Sequence, residues 1–331
     1  MISEEKYYVI GVDGGATQTR GVLFDNTGKT LATAIGGPSS LSVCKDSAPQ
    51  VVSSLISSLC EQSEIPKEYI DAVGLGLAGA SDKDGRDLLF RELDKLELAG
   101  RTIIANDAEA AYEVGCPSGV GILATVSTGV ICIARSVDGK IYRTAGDGHE
   151  DGDIGSGYWM GKQVLMHLAL NETSVYGDKE LTELLEMTFD ILDESEFKEM
   201  VEKVMSSETK VKDIASFAKP ICQLAENGND VALAIVQEAT QGVAEYITEL
   251  AREIKYTQNH IILAGNGNVI TNDTYRKCLN DALQFEYNDI KWTFSKVSPA
   301  YGAGLLASRV QDIDITLPKL IEGGALATTH S

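Results

Sequence analysis

The sequence predicts an α/β protein built from two similar halves. Short apolar runs rich in Val and Ile alternate with longer segments in which apolar residues recur at helical spacing. The order strand, strand, strand, helix, strand, helix, strand occurs twice along the chain. A length of 331 residues exceeds what one simple core usually holds, which favours two domains.

The first half begins with three strands joined by short turns, one of which is the Asp-Asn-Thr-Gly segment at 25–28. We predict its strands near residues 7–12, 21–25, 31–35, 72–77 and 102–105. Helices are expected between the third and fourth strands, after Ser81-Asp82, and from Ala108 onward. A dinucleotide-binding fold instead begins strand, helix, strand, and no Gly-x-Gly-x-x-Gly opens a first helix here.

The second half repeats this order around a long helical section. Its predicted strands lie near 120–126, 130–136, 140–144, 260–264 and 290–295, with helices near 271–285 and from Pro299. We therefore predict domains at 1–117 and 118–331, with a helical insertion over 156–255 and a tail, 312–331, that packs back on the first domain. Two similar halves suit a nucleotide held in a cleft between domains.

The segment from Gly11 to Arg20 carries the strongest chemical signal. Gly14 and Gly15 allow close approach of the backbone and a positive φ, and the exposed N–H groups of such a turn can bind an anion. Asp13 ends the first strand beside them, and Thr17 adds a hydroxyl. A carboxylate beside a phosphate site requires a cation, and Mg²⁺ prefers oxygen ligands. An ordinary Asp-Gly-Gly hairpin turn is the alternative.

Composition excludes several functional classes. A net charge of −21 argues against nucleic acid or an anionic membrane surface as a partner. No apolar run reaches membrane-spanning length, and the N-terminus lacks the pattern of a signal peptide, so we expect a cytoplasmic protein. The six cysteines are widely spaced without a Cys-x-x-Cys pair, which favours reduced, mostly buried thiols.

Two further turns of glycine and polar residues occur at strand ends. They are Thr125-Val126-Ser127-Thr128-Gly129 and Ala264-Gly265-Asn266-Gly267-Asn268. Together with the Asp13 segment they resemble the two phosphate loops and the adenosine loop of the acetate and sugar kinase, Hsp70 and actin superfamily. The stretches 104–108, 148–159 and 298–304 extend the likeness over nearly the whole chain, which resembles the BadF/BadG/BcrA/BcrD ATPase family and its N-acetylglucosamine kinases. The resemblance implies an actin-like ATPase fold of duplicated ribonuclease H-like βββαβαβα units.

The resemblance also implies a role for individual residues. Asp13 would hold Mg²⁺, and Asp107 would accept the proton of the substrate hydroxyl. The positions implied for ATP are Gly14, Gly15, Thr17, Thr128, Gly129, Gly265, Asn266 and Gly267. The positions implied for the sugar are Ser40, Asn106 and Asp153. The implied activity is ATP-dependent phosphorylation of a monosaccharide or sugar derivative, and a homodimer is a compatible assembly.

Asp107 suits this role on physical grounds as well. Phosphoryl transfer passes through a loose transition state, so catalysis is mostly positioning and charge stabilisation. A carboxylate can orient the attacking hydroxyl and take its proton late in the reaction. The alternative role for Asp107 is the N-cap of the helix that follows it.

Departures from the family pattern leave the substrate open. Ser127 replaces a glycine and Val130 replaces a hydroxyl residue of the second phosphate loop, Ser40 stands near an expected asparagine, and Ile154 replaces an acid. These changes predict weak preference for N-acetylglucosamine. Because some 2-keto-3-deoxygluconate kinases resemble the same family, that sugar acid is the alternative substrate. An ATPase activator of a dehydratase is the alternative from another class. It would need a cluster-binding cysteine near 151–157, where this chain has none. An ATP-driven binding module is a weaker third alternative.

Overall fold

The structure is a computed structural model of the chain. It describes residues 5–146, 148, 153–171, 174–206 and 210–326. Residues 149–152 of the family-like stretch, and the part of the predicted tail beyond 326, lie outside the described residues.

The described residues form ten strands and twelve α-helices. The strands are β1 (Tyr8–Gly14), β2 (Thr19–Asp25), β3 (Thr30–Gly36), β4 (Ile70–Leu77), β5 (Thr102–Ala105), β6 (Ile122–Val126), β7 (Val130–Arg135), β8 (Ile141–Ala145), β9 (His260–Asn266) and β10 (Asp289–Thr293). The helices are α1 (Ala48–Ser63), α2 (Lys83–Lys95), α3 (Asp107–Gly115), α4 (Gly157–Leu170), α5 (Lys179–Leu192), α6 (Phe197–Ser206), α7 (Lys210–Ala215), α8 (Ala218–Glu226), α9 (Asp230–Glu253), α10 (Asp273–Leu283), α11 (Pro299–Val310) and α12 (Leu317–Glu322). Among these described helices, none combines the length and the apolar character needed to span a membrane.

The chain divides into two compact units. The first runs up to Gly119 and resumes at Ser295, and the second runs from Val120 to Phe294. The predicted division assigned 295–311 to the second domain, whereas the structure groups α11 with the first unit. The tail also packs there, because the N–H of Thr30 at the start of β3 donates to the carbonyl of Gly323 at 3.2 Å.

The sheet of the first unit has the strand order β3-β2-β1-β4-β5. Strands β1, β2 and β3 form an antiparallel meander, while β4 pairs parallel to β1 and β5 pairs parallel to β4. The carboxyl ends of β1, β4 and β5 therefore lie at one edge of this sheet, where ligands bind in open α/β sheets.

The sheet of the second unit repeats this arrangement. Its order is β10-β9-β6-β7-β8, with an antiparallel meander β6-β7-β8 and parallel pairs β6–β9 and β9–β10. Helices α4 to α9 occupy the position that α1 holds in the first unit, within the predicted helical section. The duplicated strand order that the sequence predicts is confirmed.

Helix α11 packs unusually close to the first sheet and to α3. A Cβ atom placed on Gly11 of β1 would lie 1.9 Å from the carbonyl oxygen of Ala300, and one on Gly74 of β4 would lie 1.9 Å from that of Ala303. The buried carboxylate of Glu113 on α3 also pairs with Arg309 on α11 at 2.5 Å. This packing fixes α3, whose first residue is Asp107.

We expect Gly74→Ala to destabilise the first unit. The added methyl group would meet backbone atoms, which cannot rotate away as a flexible side chain can, and overpacking of this kind costs about 1–3 kcal/mol or more. The apparent midpoint of thermal unfolding should fall by about 2–12 °C. Gly100→Ala is the matched control, because nothing lies within 4 Å of its Cβ position. An equal shift in both variants would contradict the close-packing explanation.

Candidate active site

The β1–β2 hairpin carries the predicted phosphate turn. Strand β1 extends past the predicted end, so that Asp13 pairs with Arg20 and Gly14 with Thr19. The N–H of Gly15 donates to the carbonyl of Gln18 at 3.1 Å and closes the turn. Neither Gly14 nor Gly15 has a positive φ, so that part of the prediction was wrong.

The two glycines serve different purposes. A Cβ on Gly14 would lie 2.0 Å from the Ser39 hydroxyl, so glycine is required there by close packing. At Gly15 no atom lies within 4 Å of the corresponding position. The side of Gly15 to which a Cβ would point therefore faces open space, so a ligand can approach the turn there.

The loop after β3 is tied to this turn. The N–H groups of Ser39 and Ser40 both donate to the carbonyl of Gly15, at 2.9 and 3.1 Å. The Thr19 hydroxyl lies 2.6 Å from the carbonyl oxygen of Gly37, to which it donates, and 2.7 Å from the Ser39 hydroxyl. Ser40 is buried, and its hydroxyl lies 3.2 Å from that of Ser42. Ser40 thus supports the turn through its backbone, and its contact with substrate stays a prediction, whereas Thr17 is exposed on the turn itself.

Asp13 is a partly buried carboxylate at the carboxyl end of β1. It makes no hydrogen bond or ion pair with another residue in the part of the chain that the structure describes. Desolvation, and secondarily the charge of Asp107, raise the pKa of Asp13 from 3.8 to about 7, while Arg20 opposes the rise. A carboxylate held without a partner in this way is suited to a cation that arrives with a ligand.

Asp107 occupies the first position of α3 and not its cap. The N-cap is Asn106, whose side-chain oxygen accepts the N–H of Ala108 at 3.0 Å, and Glu109 completes a capping box. The Asp107 carboxylate also accepts from Ala108 N–H, at 3.0 Å. Burial raises the pKa of Asp107, and the hydrogen bonds from backbone N–H groups partly offset this. Because Asn106 caps the helix, the alternative role proposed for Asp107 was wrong.

The first unit thus brings Asp13 and Asp107 to one edge of its sheet, close enough for the charge of one to affect the other. No group of three or more His, Cys, Asp or Glu side chains that could hold a metal occurs among the described residues. A cation at Asp13 would therefore take few protein ligands and fill its shell with water and phosphate oxygens. Mg²⁺ at nucleotide sites is bound in this manner, so these residues fit it.

The second unit holds its predicted turns at one sheet edge as well. The Ser127–Gly129 turn joins β6 to β7, and α4 begins against it, since the N–H of Tyr158 donates to the carbonyl of Thr128 at 3.2 Å. A Cβ on Gly267, which has φ +96°, would lie 2.3 Å from the carbonyl oxygen of Val126 at the end of β6. The predicted second phosphate turn and the predicted adenosine turn are thus neighbours.

Asp153 is buried and lies against the phosphate turn. Its carboxylate accepts the N–H of Gly146 at 3.1 Å, and a Cβ on Gly129 would lie 2.8 Å from its other oxygen. Asp153 itself has a left-handed backbone, with φ +55°. The Asp153 carboxylate is thus bound to the backbone at Gly146 and lies beside Gly129, while its predicted contact with a sugar stays a prediction.

An aromatic ring covers the predicted adenosine turn. A Cβ on Gly265 would lie 2.2 Å from the ring of Phe294, so this glycine makes room for that ring. The guanidinium group of Arg276 lies 5.1 Å from the same ring centre. The side-chain amide of Asn266 donates to the Thr125 hydroxyl at 3.3 Å. Phe294 and Arg276 were not predicted from the sequence, because the ring of Phe294 reaches Gly265, and Arg276 reaches that ring, only through the fold.

Comparison with known proteins decides the family. The sequence pattern of the BadF/BadG/BcrA/BcrD ATPase family matches residues 10–307. The chain belongs to this family. It is 29% identical over 309 residues to the N-acetylmuramic acid/N-acetylglucosamine kinase of Clostridium acetobutylicum, covering 91% of this chain and 98% of that one. It is 25% identical to the N-acetyl-D-glucosamine kinase of Dictyostelium discoideum over 318 residues, again 91% and 98% of the two chains.

Solved structures share the fold of this BadF/BadG/BcrA/BcrD ATPase family member. A Chromobacterium violaceum protein assigned as an N-acetylglucosamine kinase gives a TM-score of 0.68 at 24% identity, over 91% of this chain and 99% of that one. A ROK family glucokinase from Streptomyces griseus, in complex with glucose and AMPPNP, gives 0.55 at 16% identity, over 91% and 99%. These neighbours confirm the predicted actin-like ATPase fold.

Proposed function

We propose that this protein is an ATP-dependent sugar kinase that transfers the γ-phosphate to a hydroxyl of an N-acetylated amino sugar. The observation that carries the proposal is the pair of carboxylates, Asp13 and Asp107, at the ligand-binding edge of the first sheet. One suits a phosphate-bound cation and the other suits a hydroxyl. The activities for which the two relatives described above are named favour an N-acetylated substrate.

The roles of the residues follow from the chemistry. The substrate hydroxyl oxygen forms a bond to the γ-phosphorus, the bond to the β–γ bridging oxygen breaks, and ADP leaves with that electron pair. Asp107 accepts the hydroxyl proton, and Asp13 would hold Mg²⁺, which would neutralise phosphate charge. The open space beside Gly15 lets the phosphates approach the backbone of the turn. The other proposed nucleotide residues are Gly14, Thr17, Thr128, Gly129, Gly265, Asn266 and Gly267.

A substrate panel tests the proposal. ADP release coupled to a spectrophotometric readout should be measured with N-acetylglucosamine, N-acetylmuramic acid, glucosamine, glucose and 2-keto-3-deoxygluconate. We expect the highest kcat/KM with an N-acetylated sugar. Ser40, Ser127 and Ile154 alone predict only a weak preference for N-acetylglucosamine. We expect a stronger preference because the two relatives, which are similar over nearly the whole chain, are kinases of N-acetylated sugars.

Two results would change the assignment. A highest kcat/KM with 2-keto-3-deoxygluconate would select the sugar-acid alternative and keep the kinase. ATP hydrolysis that no sugar or sugar acid in the panel stimulates would contradict the kinase proposal itself.

A further inference from the structure

We propose that Arg20, assisted by Lys296, binds a phosphoryl group of the nucleotide beside the cation at Asp13; this inference rests on the proposed function. The first unit contains a cavity of about 370 Å³ next to Asp13. It is lined by Asp13, Arg20, Ser295, Lys296, Val297, Ser298 and Pro299. Two basic side chains thus line the same cavity as Asp13, the carboxylate that we propose as the Mg²⁺ ligand.

The position of Arg20 follows from strand pairing. Asp13 and Arg20 are direct partners in the antiparallel β1–β2 ladder, so their side chains leave the sheet on the same face. The charge of Arg20 acts on Asp13, yet the two groups are not within ion-pair distance of 4.0 Å. The guanidinium group is therefore near the carboxylate without being neutralised by it.

Arg20 also lacks any other partner. Within the described ranges of the chain the guanidinium group of Arg20 makes no hydrogen bond and no ion pair, although the residue is partly buried. The chain has 49 acidic and 28 basic residues, so acidic partners are plentiful elsewhere. An arginine kept partly buried and unpaired under these conditions is available to an anionic ligand, and its planar group suits phosphate oxygens.

The rest of the cavity adds positive potential. Lys296 is exposed at its rim and has no ion pair with a described residue. Ser298 caps the twelve-residue helix α11, with its hydroxyl accepting the N–H of Ala300 at 3.3 Å, so the positive end of the helix dipole faces the cavity rim. The Ser295 hydroxyl accepts the N–H of Val297 at 3.1 Å. The hydroxyls of these two serines thus form hydrogen bonds near the cavity rim, whereas the side chains of Arg20 and Lys296 are available to a ligand.

The nucleotide suits this cavity better than the carboxylate of an acidic sugar. A substrate carboxylate would bring one negative charge next to Asp13 without a neutralising cation. A phosphoryl group arrives with Mg²⁺, so Asp13, the cation, the phosphate and Arg20 form an alternating series of charges. The geometry therefore favours a phosphoryl group of the nucleotide.

Nucleotide binding without catalysis tests the inference. Calorimetry should compare Mg²⁺–AMPPNP, Mg²⁺–ADP and adenosine binding to the wild type, Arg20→Gln, Lys296→Gln and the control Arg143→Gln on strand β8. We expect Arg20→Gln to weaken the affinity for AMPPNP, or for AMPPNP and ADP together, by about 10- to 150-fold. Lys296→Gln should have a smaller effect of about 2- to 5-fold, because its side chain is exposed. Adenosine affinity and the Arg143→Gln variant should be unchanged.

Loss limited to AMPPNP would place Arg20 at the γ-phosphoryl group, and loss with both nucleotides would place it at the β-phosphoryl group. If Arg20→Gln binds both nucleotides with wild-type affinity, the inference is wrong. It is also wrong if nucleotide affinity is unchanged and only kcat/KM for acidic sugars falls. Arg20→Met, which removes the charge and keeps an unbranched side chain, gives the same test should the glutamine variant fail to fold. A wild type that binds AMPPNP but phosphorylates no sugar would overturn the kinase proposal alone.

Discussion

Asp107→Asn should reduce kcat by about 10²- to 10⁴-fold while leaving the affinity for Mg²⁺–AMPPNP nearly unchanged. Asparagine keeps the size of the side chain and its place at the first position of α3, but it cannot accept the hydroxyl proton. Because burial raises the pKa of Asp107, the acid limb of the wild-type pH–rate profile should lie above the ordinary aspartate value. Initial rates over pH and calorimetric nucleotide binding measure both effects.

Asp230→Asn is the matched control for this variant. Asp230 is the first residue of α9 and follows an asparagine N-cap, Asn229, as Asp107 follows Asn106. Asp230 is exposed, so the control removes an aspartate from a helix start without touching the candidate site. Near-wild-type kcat in Asp107→Asn would remove Asp107 from the mechanism. An equal loss in both variants would point to helix stability instead.

Asp13→Asn should produce two opposite effects, the first of which is a loss of activity. Without the Asp13 carboxylate, the Mg²⁺ concentration for half-maximal activity should rise by about 10- to 100-fold. Losses of this size are typical when a group that supports a bound metal is removed. A Mg²⁺ titration of kcat/KM at fixed ATP measures this shift. An unchanged titration would leave Asp13 as part of an ordinary hairpin turn.

The second effect is a gain in stability without metal. A buried carboxylate with a pKa of about 7 penalises the folded state once the pH exceeds its unfolded value near 3.8, and the penalty levels off above pH 7. Asp13→Asn should therefore raise the unfolding midpoint in EDTA at pH 8 and change it little at pH 4. The corresponding gain in the free energy of unfolding at pH 8 should be at most about 4 kcal/mol. Asp289→Asn, at an exposed position of β10, should show no such pH dependence. A gain that is equal at both pH values would contradict the electrostatic explanation.

The sequence by itself determined the order of elements, the family resemblance and the choice of candidate site residues. Strand and helix periods are local properties, so the duplicated strand order and the start of α11 at Pro299 could be predicted. The placement of Asp13 and Asp107 at the ends of strands could be predicted as well, because each comes at the end of an apolar run in the same half of the chain. The three turns of glycine and polar residues were recognisable for this reason, and they carried the family resemblance.

Only the tertiary structure decided how distant segments meet. It grouped α11 with the first unit, because glycines at 11 and 74 let the helix backbone approach the sheet. It assigned the α3 cap to Asn106, and it showed that Gly14 is required by the Ser39 side chain and not by a positive φ. It also left Arg20 without a partner beside Asp13. Close approach, desolvation and the absence of a counter-charge depend on residues far apart in sequence, and no local pattern records them.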